Sequence, residues 1–341
     1  MALDRHLQRI WYGGASPWLT LLVPLSWLFA AIVALRRALF QWGVLRSHRV
    51  DVPVIVIGNI TVGGTGKTPF TIWLATRLAT SGRKVAIILR GYGGRATSWP
   101  QRVTPDTAWE EVGDEAVLLA RRTNAIVVAG PDRVADAQYA KQLGAEVVLS
   151  DDGLQHYRLR REVEIAVVDG RRGLGNGRLL PAGPLREPAA RLALAHLHVI
   201  TQREVGSAHT PAKAVPTVTA ISRVNSAVNL VSGEVRPLSS FVSMRVHAVA
   251  AIGHPEAFFE ALERAGLDVE GHAYRDHERL THDHIMFADD AAVLMTEKDA
   301  VKCSAIADQR HWVVPLEVDL SDADTELVDA LLERTLASGP R

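Results

Sequence analysis

The sequence predicts an α/β protein. It comprises a domain built on a mainly parallel sheet, a second, smaller α/β domain, and an N-terminal membrane-associated helical segment. Three observations predict it. From Val54 onward, short apolar β-rich runs alternate with helical patterns, a texture that calls for right-handed crossovers and a parallel sheet. The first of these runs opens into a glycine-rich turn that ends in Gly66-Lys67-Thr68. Ahead of them all, Trp18–Leu35 is an uncharged stretch of 18 residues.

The strand candidates are Val54–Ile57, Val85–Leu89, Ala125–Ala129, Val147–Leu149, Ile165–Val168 and His198–Thr201, with helices at Thr68–Thr80, Asp114–Arg122 and Asp132–Leu143 between most of them. After residue 205 the texture changes. Thr217–Val246 reads as extended chain with a turn at Ser232-Gly233. A second βα set follows: strands at Val249–Ile252, Ala292–Thr296 and Val313–Val318, and helices from Pro255 and over Asp322–Leu336. The predicted boundaries are a membrane-associated segment 1–45, a nucleotide-binding domain 46–215, a β-rich linker 216–247 and a smaller domain 248–341.

Composition narrows the function. At roughly 150 residues per domain, 341 residues make about two domains. An apolar share of 48% with 22% charged residues is globular and excludes a disordered chain. Lys plus Arg equals Asp plus Glu at 38 each, so the chain lacks the net positive charge of a general nucleic-acid binder. A single cysteine, Cys303, permits neither an internal disulfide nor a thiolate zinc site, which suits a reducing compartment.

The zero net charge hides an asymmetry. Residues 1–50 carry six arginines against one acid, +5, and the other 291 residues carry −5. Trp11, Trp18, Trp27 and Trp42, half of the eight tryptophans, also lie there. A bilayer core needs about 20 apolar residues of helix, so the stretch is borderline, and Pro24 is expected to kink it or to start a new helix. Four readings compete: a signal peptide, a buried core helix, a spanning helix, and a helix lying in the membrane interface. Indole and guanidinium flanks favour the last. Basic residues stand on both sides, Arg5 and Arg9 before and Arg36 and Arg37 after, so they do not orient a span.

Val54–Phe70 carries the most chemistry. A strand, a glycine-rich turn, GKT and a helix in that order are the context of a phosphate-binding loop, and mark the larger domain as P-loop NTPase-type. Thr61, Val62, Gly63, Gly64, Thr65, Gly66, Lys67 and Thr68 form the candidate loop. Its successive N–H groups and the helix N-terminus suit phosphate oxygens, Lys67 suits the terminal phosphates and the Thr68 hydroxyl suits Mg²⁺. Thr61 replaces the usual leading glycine, and Val62 stands where one variant of the motif has lysine. A metal-organising acid is expected at the end of a neighbouring strand, and Asp151 of Glu146–Asp152 occupies such an edge. Asp152 stands beside it, and the adjacent pair can serve together, one near Mg²⁺ and the other on the substrate side. Asp114 reads as a helix N-cap, and Arg158, Arg160 and Arg161 as a solvated face. Asp276-His277-Glu278 with His282, Asp283 and His284 offers metal-ligating or proton-moving groups.

TVGGTGKTP (61–69), RGYGG (90–94), GDEA (113–116), GPDR (130–133), SDDGLQH (150–156), LLPAGPLRE (179–187), DH (276–277) and TEKDAVK (296–302), in that order, closely resemble the tetraacyldisaccharide 4′-kinase family, the lipid A 4′-kinases. The resemblance spans nearly the whole chain. It implies ATP and Mg²⁺ as cofactors, and a P-loop domain joined by a β-linker to a smaller α/β domain. It also implies phosphorylation of the 4′-hydroxyl of a lipid-linked glucosamine disaccharide, giving lipid IVA, at the cytoplasmic face of a bacterial inner membrane. Residue by residue, it implies that Asp114 is the catalytic acid–base group and His277 its partner. Asp152, Gln155, His156, Arg133 and Arg186 then fall on the substrate side, with Glu187 orienting Arg186. The alternative is a nucleotide-switched membrane-assembly or metallochaperone NTPase. Thr296-Glu297-Lys298-Asp299 departs from the guanine-selecting element such proteins use, since its lysine is third rather than second.

Overall fold

The computed structural model describes residues 10–13, 17–203 and 215–337; Arg5 and Arg9 lie outside them. Two sheets organise these residues. The larger has nine strands in the order β15-β8-β7-β6-β1-β5-β2-β4-β3. Its central strands are β1 (Val54–Gly58), β5 (Val147–Asp151), β2 (Val85–Leu89), β6 (Val163–Asp169), β7 (Leu197–Gln202) and β4 (Ile126–Ala129). Neighbours among them pair in parallel. The short β3 (Gln101–Val103) closes one edge antiparallel to β4.

Alternation along the strands builds two cores. Ile55 and Ile57 face the helices α2 (Lys67–Thr80) and α4 (Asp114–Arg122), whereas Val54 and Val56 face α5 (Arg133–Gln142). Phe70 of α2 is fully enclosed, a burial that contributes about 1.5–3 kcal/mol. Between β3 and α4 lies the one-turn α3 (Trp109–Val112).

The smaller sheet runs β10-β9-β14-β13-β11-β12. It contains β9 (Ser226–Asn229), β10 (Val235–Pro237), β11 (Arg245–Ala250), β12 (Asp268–Ala273), β13 (Ala292–Thr296) and β14 (His311–Val314). The expected turn at Ser232-Gly233 joins β9 to β10, with Gly233 at φ 73° and its N–H on the Asn229 carbonyl. Helix α6 (Pro255–Arg264) covers one face through Phe258 and Leu262; α7 (His282–Ile285) and α8 (Glu297–Cys303) cover the other through Ile285, Ala300 and Cys303.

Sheet membership cuts the chain differently from the boundaries read at 216 and 247. β8 (Thr217–Arg223) extends the large sheet in parallel with β7. The run expected as one strand over Val313–Val318 breaks into β14 of the small sheet and β15 (Glu317–Asp319), which returns to pair antiparallel with β8. The last helix, α9 (Asp322–Ala337), then buries Val328 and Leu332 in the large core. Apolar alternation tells a strand from a helix, but it does not tell which of two sheets a short strand joins.

Helix α1 (Pro17–Gln41) runs unbroken through Pro24. An 18-residue stretch within Leu19–Gln41 has a mean hydropathy of 2.0 and is only 11% buried, which rules out the core-helix reading. By length and composition it suffices to cross a membrane. Its docked side is anchored by Ser26, whose hydroxyl donates to Leu179 O at 2.8 Å and accepts from Ala182 N at 3.0 Å. Leu21, Leu25, Trp27, Leu28, Ile32 and Leu35 stay exposed.

Candidate active site

The loop after β1 sits at the C-terminal edge of the large sheet, where open α/β sheets collect ligands. Gly66 has φ 78°, and a Cβ there would lie 2.9 Å from Thr201 Cγ2, so the turn into α2 requires glycine. Thr201 also holds the loop, donating to Thr65 O at 2.9 Å. Asn59 braces the loop from beneath: its amide donates to Thr65 Oγ1 at 3.2 Å and, at 3.4 Å each, to Thr61 Oγ1 and Gly63 O. Val62 N donates to Pro184 O at 2.8 Å, which clips the loop to the LLPAGPLRE segment. Arg172 donates to Gly64 O and contacts His254 of the small-sheet half. Sequence reading missed Asn59, Arg172 and His254; the only signal for Asn59 was its place inside the motif strand's exit.

Lys67 Nζ lies 3.5 Å from Asp152 Oδ1. Asp152 has φ 49° and receives both Arg186 N–H groups at 2.9 and 3.1 Å. Burial opposes its ionisation, but Lys67 and Arg186 overcome that and hold its carboxyl below the usual range. Asp151, at the end of β5, is enclosed; burial and then the neighbouring Glu115 push it up to about 6, against Lys67. Thr71 donates to Asp151 Oδ1 at 3.4 Å. Thr68 is half-buried in the first turn of α2.

Arg186 is gripped by Asp152 and Asn59. Glu187 does not orient it as expected: its buried carboxylate receives Tyr157 and Gln155 and lies 3.6 Å from Arg191. Gln155 also donates to Asn59 O at 3.1 Å. Arg133 is buried beneath the site, donating to Gly130 O at 3.0 Å and Asp151 O at 3.2 Å, with Asp136 at 3.5 Å. Its Nε is enclosed without a hydrogen-bond partner. Burial, helped by Arg133, drives His156 down to about 4, so it is neutral near pH 7. Arg161 is not the solvated residue expected. It donates to Leu154 O at 3.0 Å, pairs with Glu164 at 3.2 Å and lies over the Tyr157 ring.

The second half of the site forms where α4 of the large-sheet half meets the small-sheet half. Gly113, at φ 90°, makes the turn into α4, where a Cβ would lie 2.4 Å from Tyr92 O. Asp114 is therefore the first helical residue rather than the N-cap. Its Oδ1 accepts Glu115 N at 2.8 Å, and its Oδ2 accepts His277 Nδ1–H at 3.0 Å. His277 sits at φ 59° in the turn after β12, its amide on Ala251 O and its ring 5.3 Å from that of Tyr92. Lys302 of α8, with no exposed side-chain surface, lies 3.6 Å from Asp114 Oδ2 and donates to Asp299 Oδ1 at 3.0 Å. Lys298 pairs with Glu115, and Arg122 with Glu297, across the same seam. TEKDAVK thus packs a buried cation behind Asp114, a role its spacing alone did not disclose. His284, by contrast, closes a capping box with Thr281.

Burial opposes ionisation of Asp114, but the hydrogen bond and charge of His277, with Lys298 and Lys302, outweigh it and hold its carboxyl below the usual range. The same hydrogen bond lifts His277 above its ordinary value, against burial. A histidine raised on folding stabilises fully below its unfolded pKa, and that stability is lost as pH rises through the folded value. Histidine NMR titration is expected to place His277 above about 6.5, the ordinary value, and Asp114→Asn to bring it back down. A His277 value indifferent to Asp114→Asn would break the pairing.

The family profile for LpxK, described as tetraacyldisaccharide-1-P 4′-kinase, matches residues 18–336. The tetraacyldisaccharide 4′-kinase of Alkalilimnicola ehrlichii is 47% identical over 319 residues, spanning 91% of this chain and 92% of the relative. That of Azotobacter vinelandii is 43% identical over 341 residues, spanning 99% and 100%. Among solved structures, LpxK from Aquifex aeolicus in complex with ATP superposes with a TM-score of 0.80 at 29% identity, covering 93% of this chain and 99% of that one. With matches of this extent, and with the quoted motifs meeting in one cleft, the chain belongs to the tetraacyldisaccharide-1-P 4′-kinase family.

Proposed function

We propose that the chain transfers the γ-phosphoryl group of ATP to the 4′-hydroxyl of a tetraacyldisaccharide 1-phosphate, giving lipid IVA in lipid A biosynthesis. The observation that carries the chemistry is the Asp114–His277 hydrogen bond of 3.0 Å, which joins the two sheets beside the P-loop. A sugar hydroxyl is a weak nucleophile, and a positioned base contributes about 10²–10⁴-fold. Asp114, ionised and backed by Lys302, accepts the hydroxyl proton, and His277 holds the carboxylate in place. The loop amides of residues 61–68 and Lys67 receive the phosphate oxygens. Arg186, fixed by Asp152, aims a planar donor pair suited to a phosphate or a sugar oxygen. Arg133 supports the floor of the site through Asp151 O rather than reaching into it.

The donor set fits Mg²⁺. Asp151 is a carboxylate whose ionisation is opposed by burial and by Glu115 and Asp152 more than Lys67 and Arg133 favour it, so a cation beside it is welcome, and the Thr68 hydroxyl adds a second hard oxygen. Thr68 and Asp151 would hold the ion, which when bound neutralises charge on the phosphates.

Helix α1 brings the site to its lipid substrate. Its exposed apolar face suits the interface of a bilayer, and a reaction that consumes ATP suits the cytoplasmic side. Ser26 docks α1 on the loop that leads to Arg186, which ties the apolar helix to the segment carrying that residue. The test follows ATP turnover with and without the lipid-linked disaccharide. Wild type should phosphorylate the sugar, whereas a switch NTPase would hydrolyse ATP without marking it. Replacing Leu21, Leu25, Leu28 and Ile32 together by Gln leaves the Ser26 anchor in place. It should move protein from vesicles to solution and raise KM for the lipid more than for ATP. Unchanged partitioning and lipid KM would remove the membrane role.

A further inference from the structure

A cluster of metal-ligand residues lies away from the nucleotide cleft, on the α8 face of the small sheet. His247 of β11 is in parallel register with Glu270 of β12, and His272 follows two residues on, so all three side chains share one face. Their donor atoms lie within 4.8 Å of one another. His247 Nδ1 is 3.0 Å from His272 Nε2 and 3.8 Å from Glu270 Oε2. Donors held tetrahedrally at 2.0–2.2 Å from a zinc-sized ion are separated by about 3.3–3.6 Å, so the observed spacings bracket what such an ion needs.

Arg245 donates to the same Glu270 oxygen at 2.5 Å, a surface pair that an ion would have to displace, whereas the surroundings of the two rings suit a ligand set. The other nitrogen of His247, Nε2, is 2.9 Å from Asp289 Oδ1. A carboxylate there keeps the proton on Nε2 and leaves the Nδ1 lone pair facing the cluster, the outer-shell pairing found behind metal-bound histidines. Phe287 stacks on both rings, 3.8 Å from His247 and 4.3 Å from His272 between centroids, and shields one side from water. His247 is buried, whereas His272 and Glu270 are half-buried, which leaves a fourth position open to solvent.

We propose that His247, His272 and Glu270 bind a divalent transition-metal ion of the zinc class, with Asp289 orienting His247. Two imidazoles and one carboxylate are the borderline set that prefers such ions over Mg²⁺ or Ca²⁺. The ion would staple β12, an edge strand, to β11 and to the 287–289 loop. β12 runs directly into the turn that carries His277, whose N–H is already tied to Ala251 O.

The test uses the full chain after chelator treatment, with Zn²⁺ titrated against a chromophoric competitor and Co²⁺ as a spectroscopic substitute. Wild type should bind one more equivalent of Zn²⁺ than His272→Ala and show the visible bands of tetrahedral Co²⁺. Asp289→Asn should weaken that equivalent about 10–100-fold. Any ion held by the P-loop acids is common to both proteins and cancels in the comparison. If His272→Ala does not fold, Glu270→Gln, at a half-exposed position, provides the same comparison. Equal Zn²⁺ stoichiometry and affinity in wild type and variant, or no saturable binding by wild type, would overturn the site.

Discussion

Asp114→Ala is expected to lower kcat for sugar phosphorylation by about 10²–10⁴-fold, the loss of a positioned general base, while leaving ATP affinity near that of wild type. The separation follows from the geometry. Asp114 touches His277, Lys302 and the Glu115 amide, and none of these is a P-loop group. The fold should survive, because Lys302 keeps Asp299 at 3.0 Å and Glu278 O at 3.3 Å, so the buried ammonium is not left without a counter-charge. Asp114→Asn retains the shape and removes the base, so it should lose activity to a similar degree. Rapid-quench kinetics with nucleotide binding measured in parallel reads both quantities. A folded Asp114→Asn protein turning over at the wild-type rate would end the general-base assignment.

Lys67→Ala should fall by about 10²–10³-fold in kcat, the scale of losing one preorganised charge at a reacting centre, and should also bind ATP more weakly. Two effects add. The ammonium proposed to meet the terminal phosphates is gone, and Asp152 loses one of the two cations that hold it ionised. The carboxylates of Asp151, Asp152 and Glu115 are then left closer to uncompensated. Lys67→Arg should restore little, because a planar fork on a longer stem does not replace a point charge within a tight loop. The contrast between the two variants is the measurement: Asp114→Ala separates kcat from ATP affinity, and Lys67→Ala lowers both. Equal ATP affinity in Lys67→Ala and wild type would show that Lys67 does not meet the phosphates.

The P-loop was legible in the residues because its chemistry is local. A strand, glycines at positive φ and GKT are contiguous, and backbone geometry there depends on near neighbours. Asp151 was legible for a similar reason, as the exit of a strand next to β1. The helix α1 was legible as apolar, yet only its 11% burial excluded a core position. Asp114 and His277 were singled out through ordered motifs, since 163 residues separate them and spacing carries no information over that distance.

Other features required the tertiary structure. Glu187 neighbours Arg186 in sequence but turns to Tyr157 and Gln155, while Arg186 turns to Asp152 and Asn59, because the chain bends at this pair and sequence adjacency does not set where a side chain points. Arg161 resembles a surface charge until Tyr157 and the Leu154 carbonyl enclose it. Lys302 becomes part of the site only when α8 packs against α4. β15 leaves the strand that precedes it and joins the other sheet. The sequence by itself determined the class of fold, the phosphate-binding loop and the apolar helix, all set by periodicity and contiguous chemistry. Tertiary structure alone decided which sheet each short strand joins and which charges meet across the seam, because long-range packing settles burial and pairing.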